Sequence, residues 1–277
     1  MLNMCSWKKN IPSVDRDIVK NRFFDPTEKT INFRNNLISD IAEGAFQSQN
    51  KLKSLTLSNN KMTRIPSKAL STAKLLKEIF LDYNSIQVIR QKAFERNENL
   101  EWLHLAHNNI STISGDAFAG LQKLKFLNLE GNAIKAIGAR VLAHLSGCVI
   151  LDLSKNLIKK LHSESLEPLA SLNQLKLDSN LLTELEDGLF NRLGKLEGSR
   201  SIYYIIVIHD HGHAKRFFGQ VPESRYCHIR FQRDISNYSS FTKQRLAIYI
   251  ELHRVFFTLS MFKSIQPSTT LTFFWLF

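Results

Sequence analysis

The densest run of metal-ligating side chains is His209-Asp210-His211-Gly212-His213, where imidazoles two residues apart on an extended segment can share one cation. No second ligand group with a recognisable spacing accompanies it, and so short a motif discriminates loosely, so no metal site is assigned. Cys5, Cys148 and Cys227 lack the paired short spacings that a zinc site or a disulfide framework needs. The sequence holds no Gly-rich phosphate loop, no G-x-S-x-G elbow, no H-E-x-x-H helix and no Cys/His pair with an orienting third group. The expectation is a protein that is not an enzyme, with no cofactor, no metal and no small-molecule substrate. Asn109-Ile110-Ser111 and Asn237-Tyr238-Ser239 match the N-glycan acceptor pattern, and Asn109 is the better candidate for glycosylation.

The formal charge of +12 and the pI near 9.6 raise nucleic acid or an anionic membrane as partners. The excess is spread rather than clustered, however: no block of five like charges occurs, and a solvated basic surface is the expectation, with no nucleic acid bound. The most apolar windows, Ile202–Ile208, Val255–Phe262 and Thr270–Phe277, fall short of the roughly 20 residues that cross a bilayer, so no transmembrane segment is expected. Met1 to Asn10 is not followed by the apolar stretch of a signal peptide.

What must position any site is a repeat. The string L-x-x-L-x-L-x-x-N-x-I-x-x-I recurs with its asparagines at Asn36, Asn60, Asn84, Asn108, Asn132, Asn156 and Asn180, 24 residues apart each time. Within L-x-L the period of 2 makes a short strand whose leucines point inward and whose other residues face outward. One buried Asn per turn can bond the backbone groups that neighbouring turns would leave orphaned, which makes these asparagines structural. A bulky residue recurs late in each unit, as Phe46, Leu70, Phe94, Phe118, Leu142, Leu166 and Phe190, where a return segment must cover the core. About ten residues remain for that arc, too few for a long helix. The predicted fold is a right-handed α/β solenoid, a horseshoe with a parallel inner sheet and short return arcs. Residues 28–197 hold seven repeats and the start of an eighth.

These units resemble the leucine-rich repeat family, and the late Ala45-Phe46, Ala93-Phe94 and Ala117-Phe118 resemble its typical 24-residue extracellular subclass. Ectodomain repeats of the leucine-rich-repeat/immunoglobulin-like, Slit and Toll-like families are similar in style. Residues 1–27, with Cys5-x5-Ile11-Pro12, resemble the end of a degenerate N-terminal cap. The resemblance implies a fragment of a receptor or adhesion ectodomain, extracellular or at the cell surface, that recognises another protein. The missing signal peptide supports the alternative, an intracellular, cytoplasmic scaffold or regulatory subunit.

The repeat also assigns the inner face. One column reads Thr30, Ser54, Glu78, Trp102, Phe126, Ile150 and Gln174, and its neighbour reads Asn32, Thr56, Phe80, His104, Asn128, Asp152 and Lys176. Phe80, Trp102 and Phe126, with Tyr83, His104 and His107 at the edge, are expected to form an aromatic island on the concave side, and contiguous exposed aromatics mark binding surfaces. Glu78, Asp82, Glu101, Glu130, Asp152 and Asp178 border it, which suits a partner presenting basic groups beside an apolar anchor. From residue 198 the pattern stops. The stretch 198–277 has no assignable periodicity, and it reads equally as an improvised cap or as a segment unrelated to the parent fold.

Overall fold

Three residues of each repeat become a strand because the middle one is an aliphatic side chain with somewhere apolar to go. In the computed structural model, which describes residues 10–15, 19 and 27–182 and the backbone of 203–209 and 227–232, the strands are short and follow the repeat. They are β1 (Ser13–Val14), β2 (Thr30–Asn32), β3 (Asp40–Ile41), β4 (Ser54–Thr56), β5 (Glu78–Phe80), β6 (Val88–Ile89) and β7 (Trp102–His104). There follow β8 (Thr112–Ile113), β9 (Phe126–Asn128), β10 (Ile150–Asp152), β11 (Gln174–Lys176), β12 (Tyr203–His209) and β13 (Cys227–Gln232). One parallel sheet runs in the order β2-β4-β5-β7-β9-β10-β11-β12-β13. Two further pairs, β1 with β3 and β6 with β8, lie beside it.

The register is the sequence repeat made physical. Glu78 faces Trp102, Trp102 faces Phe126, and Phe126 faces Ile150. The middle residues Ile31, Leu55, Ile79, Leu103, Leu127, Leu151 and Leu175 are fully buried. The core is closed on the far side by Phe46, Leu70, Phe94, Phe118, Leu142 and Leu166, also fully buried; Phe190 lies outside the described residues. The return arcs are turns, apart from single helical turns at Ser67–Leu70 and Ser163–Leu166. This is the parallel-sheet solenoid with short arcs that the spacing predicts.

Each ladder asparagine ties two turns together. Asn60 accepts the Ile38 N–H at 3.0 Å, and its amide nitrogen donates to the Phe33 carbonyl of the preceding turn at 3.0 Å and to the Leu57 carbonyl of its own at 2.9 Å. Asn84, Asn108, Asn132, Asn156 and Asn180 repeat the pattern. Asn36 is only half-buried, because no full repeat precedes it. Its partner there is Ile11, whose N–H it accepts at 3.3 Å, while the Ile11, Pro12 and Val14 carbonyls receive the N–H groups of Leu37, Ser39 and Ala42. Ile11–Asp15 thus stands in for a preceding turn.

Beyond β11 the repeat register slips. Tyr203 pairs with Gln174, where a 24-residue unit would bring Gly198. The backbone of Tyr203–His209 nevertheless extends the sheet in parallel, and Cys227–Gln232 adds to it. The remainder of 198–277, including His211, His213 and Asn237, lies outside the described residues, as does Cys5.

Two stability changes follow from this bonding. Asn84→Ala leaves the buried Met62 N–H without its acceptor, while the Leu57 and Leu81 carbonyls keep Asn60 and Asn108 as donors, and is expected to lower unfolding free energy by roughly 1–3 kcal/mol for that one orphaned group. Gln49 is the opposite case: it is 3% exposed, and neither amide atom has a partner. Its counterpart Asn97 donates to Leu70 and Ala73, whereas Leu121, Leu145 and Leu169 are apolar in the same register. Gln49→Leu is therefore expected to gain on the order of 1 kcal/mol. Urea unfolding curves with unchanged m-value check both.

Candidate ligand-binding face

The outward residues of β5, β7 and β9 bring together the rings that the columns place side by side. Phe80 and His104 stack with centroids 4.5 Å apart, His104 and Phe126 meet at 4.9 Å, and Trp102 and Phe126 at 5.2 Å. Beyond the strand ends, Tyr83 stacks on His107 at 4.5 Å with planes 16° apart. Packing across the sheet does not hide them: Trp102 stays 40% exposed and Tyr83 54%. The six predicted rings thus fall into two sets, Phe80, His104, Phe126 and Trp102 in one and Tyr83 and His107 in the other, with Phe80 and Tyr83 lining one groove.

Tyr83 and His107 occupy a backbone position with its own demand. The residue before each ladder asparagine is left-handed, with φ of 62° at Asn35, 57° at Asn59, 55° at Tyr83, 52° at His107, 66° at Gly131, 53° at Lys155 and 56° at Ser179. Asn and Gly adopt this region readily, while a bulky side chain costs roughly 1–2 kcal/mol. Gly131 also makes room for its neighbour, since a Cβ there would sit 2.7 Å from His107 Nδ1.

The acids expected around the island divide into two kinds. Glu101 is gripped by Lys77 at 2.6 Å and Lys125 at 2.8 Å, and the two lysines hold its carboxyl down to about 2. Asp152 departs from the expectation of a bordering acid. It is buried, accepts from the Ser154 N–H and hydroxyl, and pairs with Lys176 at 3.0 Å, because its strand position turns it toward the lysine one rung on. Glu130 is likewise paired, with Lys155 at 2.7 Å. Burial pushes the Asp178 carboxyl up.

Asp82 behaves differently. It is half-buried, accepts the Ala106 N–H at 2.9 Å and the Ser58 hydroxyl at 3.5 Å, and burial pushes its carboxyl up. Among the described residues no lysine or arginine lies within ion-pair distance of it. Beside it a groove of about 270 Å³ is lined by Asn32, Arg34, Thr56, Ser58, Phe80, Asp82 and Tyr83. Sequence reasoning missed Arg34 and Ser58 as site residues. The signal was present, because Arg34, Ser58 and Asp82 form one further column just past the strand ends.

Elsewhere the chemistry is quiet. Cys148 is buried, its thiol pushed up to about 12 by desolvation, and it is no nucleophile. Among the described residues no three His, Cys, Asp or Glu side chains converge on a metal position, and no helix is long and apolar enough to cross a membrane. Asn109 and Ser111 are exposed, so the glycan acceptor triplet is accessible.

His104 makes the face sensitive to pH. Burial between Phe80 and Phe126 depresses its basicity, and the charges of Asp82 and Glu78 oppose that only in part. A depressed histidine binds fewer protons folded than unfolded, so stability rises with pH through that interval and falls as pH drops below the unfolded value near 6.5. His104→Asn, with Asn32 and Asn128 as precedents in the same column, is expected to lose less stability than the wild type between pH 7.5 and 5.5 in urea titrations. An equal loss in both proteins would show that His104 does not carry the effect.

The fold and face can be set beside known proteins. A leucine rich repeat family profile matches residues 29–86, 74–134 and 130–182, more than half of the chain. No curated protein matches at a significant level. Among solved structures, one of a TLR13–ssRNA13 complex is similar with a TM-score of 0.61 and 26% identity, over 69% of this chain and 27% of that one. The Toll–Spatzle complex of Drosophila is similar in fold at a TM-score of 0.61 and 22% identity, over 76% of this chain and 28% of that one. The chain thus spans under a third of each of these receptor chains. The uninterrupted asparagine ladder, the parallel register and the profile match together place this chain in the leucine-rich repeat family.

Proposed function

We propose that this chain recognises another protein through its inner, concave face, as part of a receptor or adhesion ectodomain that is extracellular or at the cell surface, and that it does no catalysis. The observation that carries the reading is the contiguous set of rings around Trp102, left exposed on a face that the repeat could have filled with small polar residues, as it does at Thr30, Ser54, Asn32 and Thr56. Exposed aromatic clusters of this kind supply the anchors of protein interfaces. Glu78 and Asp82 beside the rings suit a partner with basic groups next to an apolar anchor. An accessible Asn109 acceptor is compatible with a secreted parent.

The similar TLR13 structure contains single-stranded RNA, which makes RNA the rival partner. RNA requires a basic track beside the stacking rings. The edge lysines nearest the rings, Lys77 and Lys125, are instead locked on Glu101, and the groove at the other end of the strands sets a single arginine, Arg34, against the carboxylate of Asp82. These charges favour a protein.

The test uses the full chain as bait against secreted and cell-surface proteins, comparing wild type with the Trp102→Ala/Phe126→Ala double variant and with Arg96→Ala on the return arc. Losing two central aromatic anchors is expected to reduce capture of a specific partner by about 100-fold, with Arg96→Ala unchanged. Equal capture by the double variant, with its fold intact by circular dichroism, would sink the proposal.

A further inference from the structure

We infer that the groove between Phe80, Tyr83 and Asp82 is a subsite for one guanidinium group, the side chain of an arginine carried by the protein partner. This rests on the inner face being the recognition surface and adds what that surface reads.

Three independent features of the groove converge on a cation. The first is charge. Around the aromatic cluster Glu101, Glu130 and Asp152 are each paired with a lysine of the same chain, while Asp82 has only neutral donors, the Ala106 N–H and the Ser58 hydroxyl. A carboxylate accepts four hydrogen bonds, so two donors leave acceptor capacity directed at the groove. His104, half-buried between rings, has its basicity pushed down by burial.

The second feature is the shape of the walls. Phe80 and Tyr83 bring two ring systems to the same groove as the carboxylate. A planar guanidinium can stack on a ring face while its N–H fork meets a carboxylate; an ammonium can do only one of these well. A volume near 270 Å³ accepts one long side chain, not a folded element.

The third is the corner position of Tyr83. Tyr83 holds a left-handed φ of 55° where the two preceding repeats place Asn35 and Asn59, which are comfortable there. His107, Lys155 and Ser179 hold the same left-handed φ in later repeats, so what sets Tyr83 apart is that its exposed ring lines the groove. Arg34 lines the same groove from a position two rungs, and thus roughly 10 Å of backbone, away from Asp82, so its positive charge opposes a bound cation and sets the affinity below what the carboxylate alone would give.

The experiment titrates the full-length chain with N-acetyl-arginine amide by NMR or calorimetry, with N-acetyl-citrulline amide as the neutral isostere and N-acetyl-lysine amide as the point-charge comparator. Saturable binding of the arginine probe is expected, with citrulline weaker by about tenfold or more and lysine intermediate. Asp82→Asn keeps an acceptor for the Ala106 N–H and removes the charge; it is expected to lower arginine affinity about tenfold. Should that variant fold poorly, Asp82→Ser, with Ser58 and Ser154 in the same column, serves in its place. Tyr83→Asn is expected to lower affinity severalfold while leaving the fold at least as stable, and Arg96→Ala to change nothing. Equal binding of citrulline and arginine, no saturable binding, or unchanged affinity in the Asp82 variant overturns the subsite. The probe is a single amino-acid derivative, so its binding is read independently of whether Trp102 and Phe126 hold a partner. Failure here and failure of the recognition reading are separate results.

Discussion

A buried side-chain amide that satisfies backbone groups of two consecutive turns is the interaction on which everything else in this molecule depends. A solenoid turn has no partner within itself for the N–H and C=O groups at the corner after its strand, and leaving them bare in an apolar core is prohibitive. Asparagine supplies an acceptor and two donors on a side chain short enough to stay in the corner. Because the Asn60 amide reaches Phe33 and Ile38 on one turn and Leu57 on its own, each ladder residue also sets the spacing between turns. The strands then fall into register without any choice of pairing partner. A one-residue insertion would break the corner bonds and rotate the inward leucines out together.

That rigidity frees the inner face. Once the corner and the inward residues hold the sheet, the outward positions of β5, β7 and β9 carry no structural duty and can hold rings, imidazoles or charges. Their position in space is fixed by the core beneath them, which is the arrangement a recognition surface needs to avoid ordering costs on binding. The same regularity sorts charge. Residues 24 apart stand next to each other, so a single acid in a lysine column, Glu101 between Lys77 and Lys125, is neutralised from both sides.

The strands, their register and the positions of the six rings were legible in the sequence because a strict period turns sequence distance into spatial neighbourhood. Phe80, His104 and Phe126 could be placed together with no knowledge of loops. What was not legible lies in side-chain direction and in broken periods. Asp152 and Phe80 share a column, yet one is buried against Lys176 and the other lines a groove. The column gives position, while rotamer and neighbouring lysine decide availability. Arg34 and Ser58 escaped because the columns were drawn through the strands alone, and the groove opens past their ends. The slip at Tyr203 could not be anticipated, since the eighth unit had lost the leucines that would have announced where a strand resumes.

The left-handed column bears on why the aromatic face exists. Asn35, Asn59 and Gly131 show that this solenoid has cheap solutions for the residue before the ladder asparagine, and Tyr83, His107, Lys155 and Ser179 are not among them. Packing recovers part of the cost, because the two rings stack at 4.5 Å and Gly131 opens space for the second. Yet ring stacking between exposed residues contributes about as much as one strained φ costs, and here two are strained. The balance is close to zero or unfavourable, so stability alone gives no reason to keep a tyrosine half in solvent at that corner. The repeat accepts that strain at several corners, and at Tyr83 the result is an exposed ring on the wall of the groove beside Asp82.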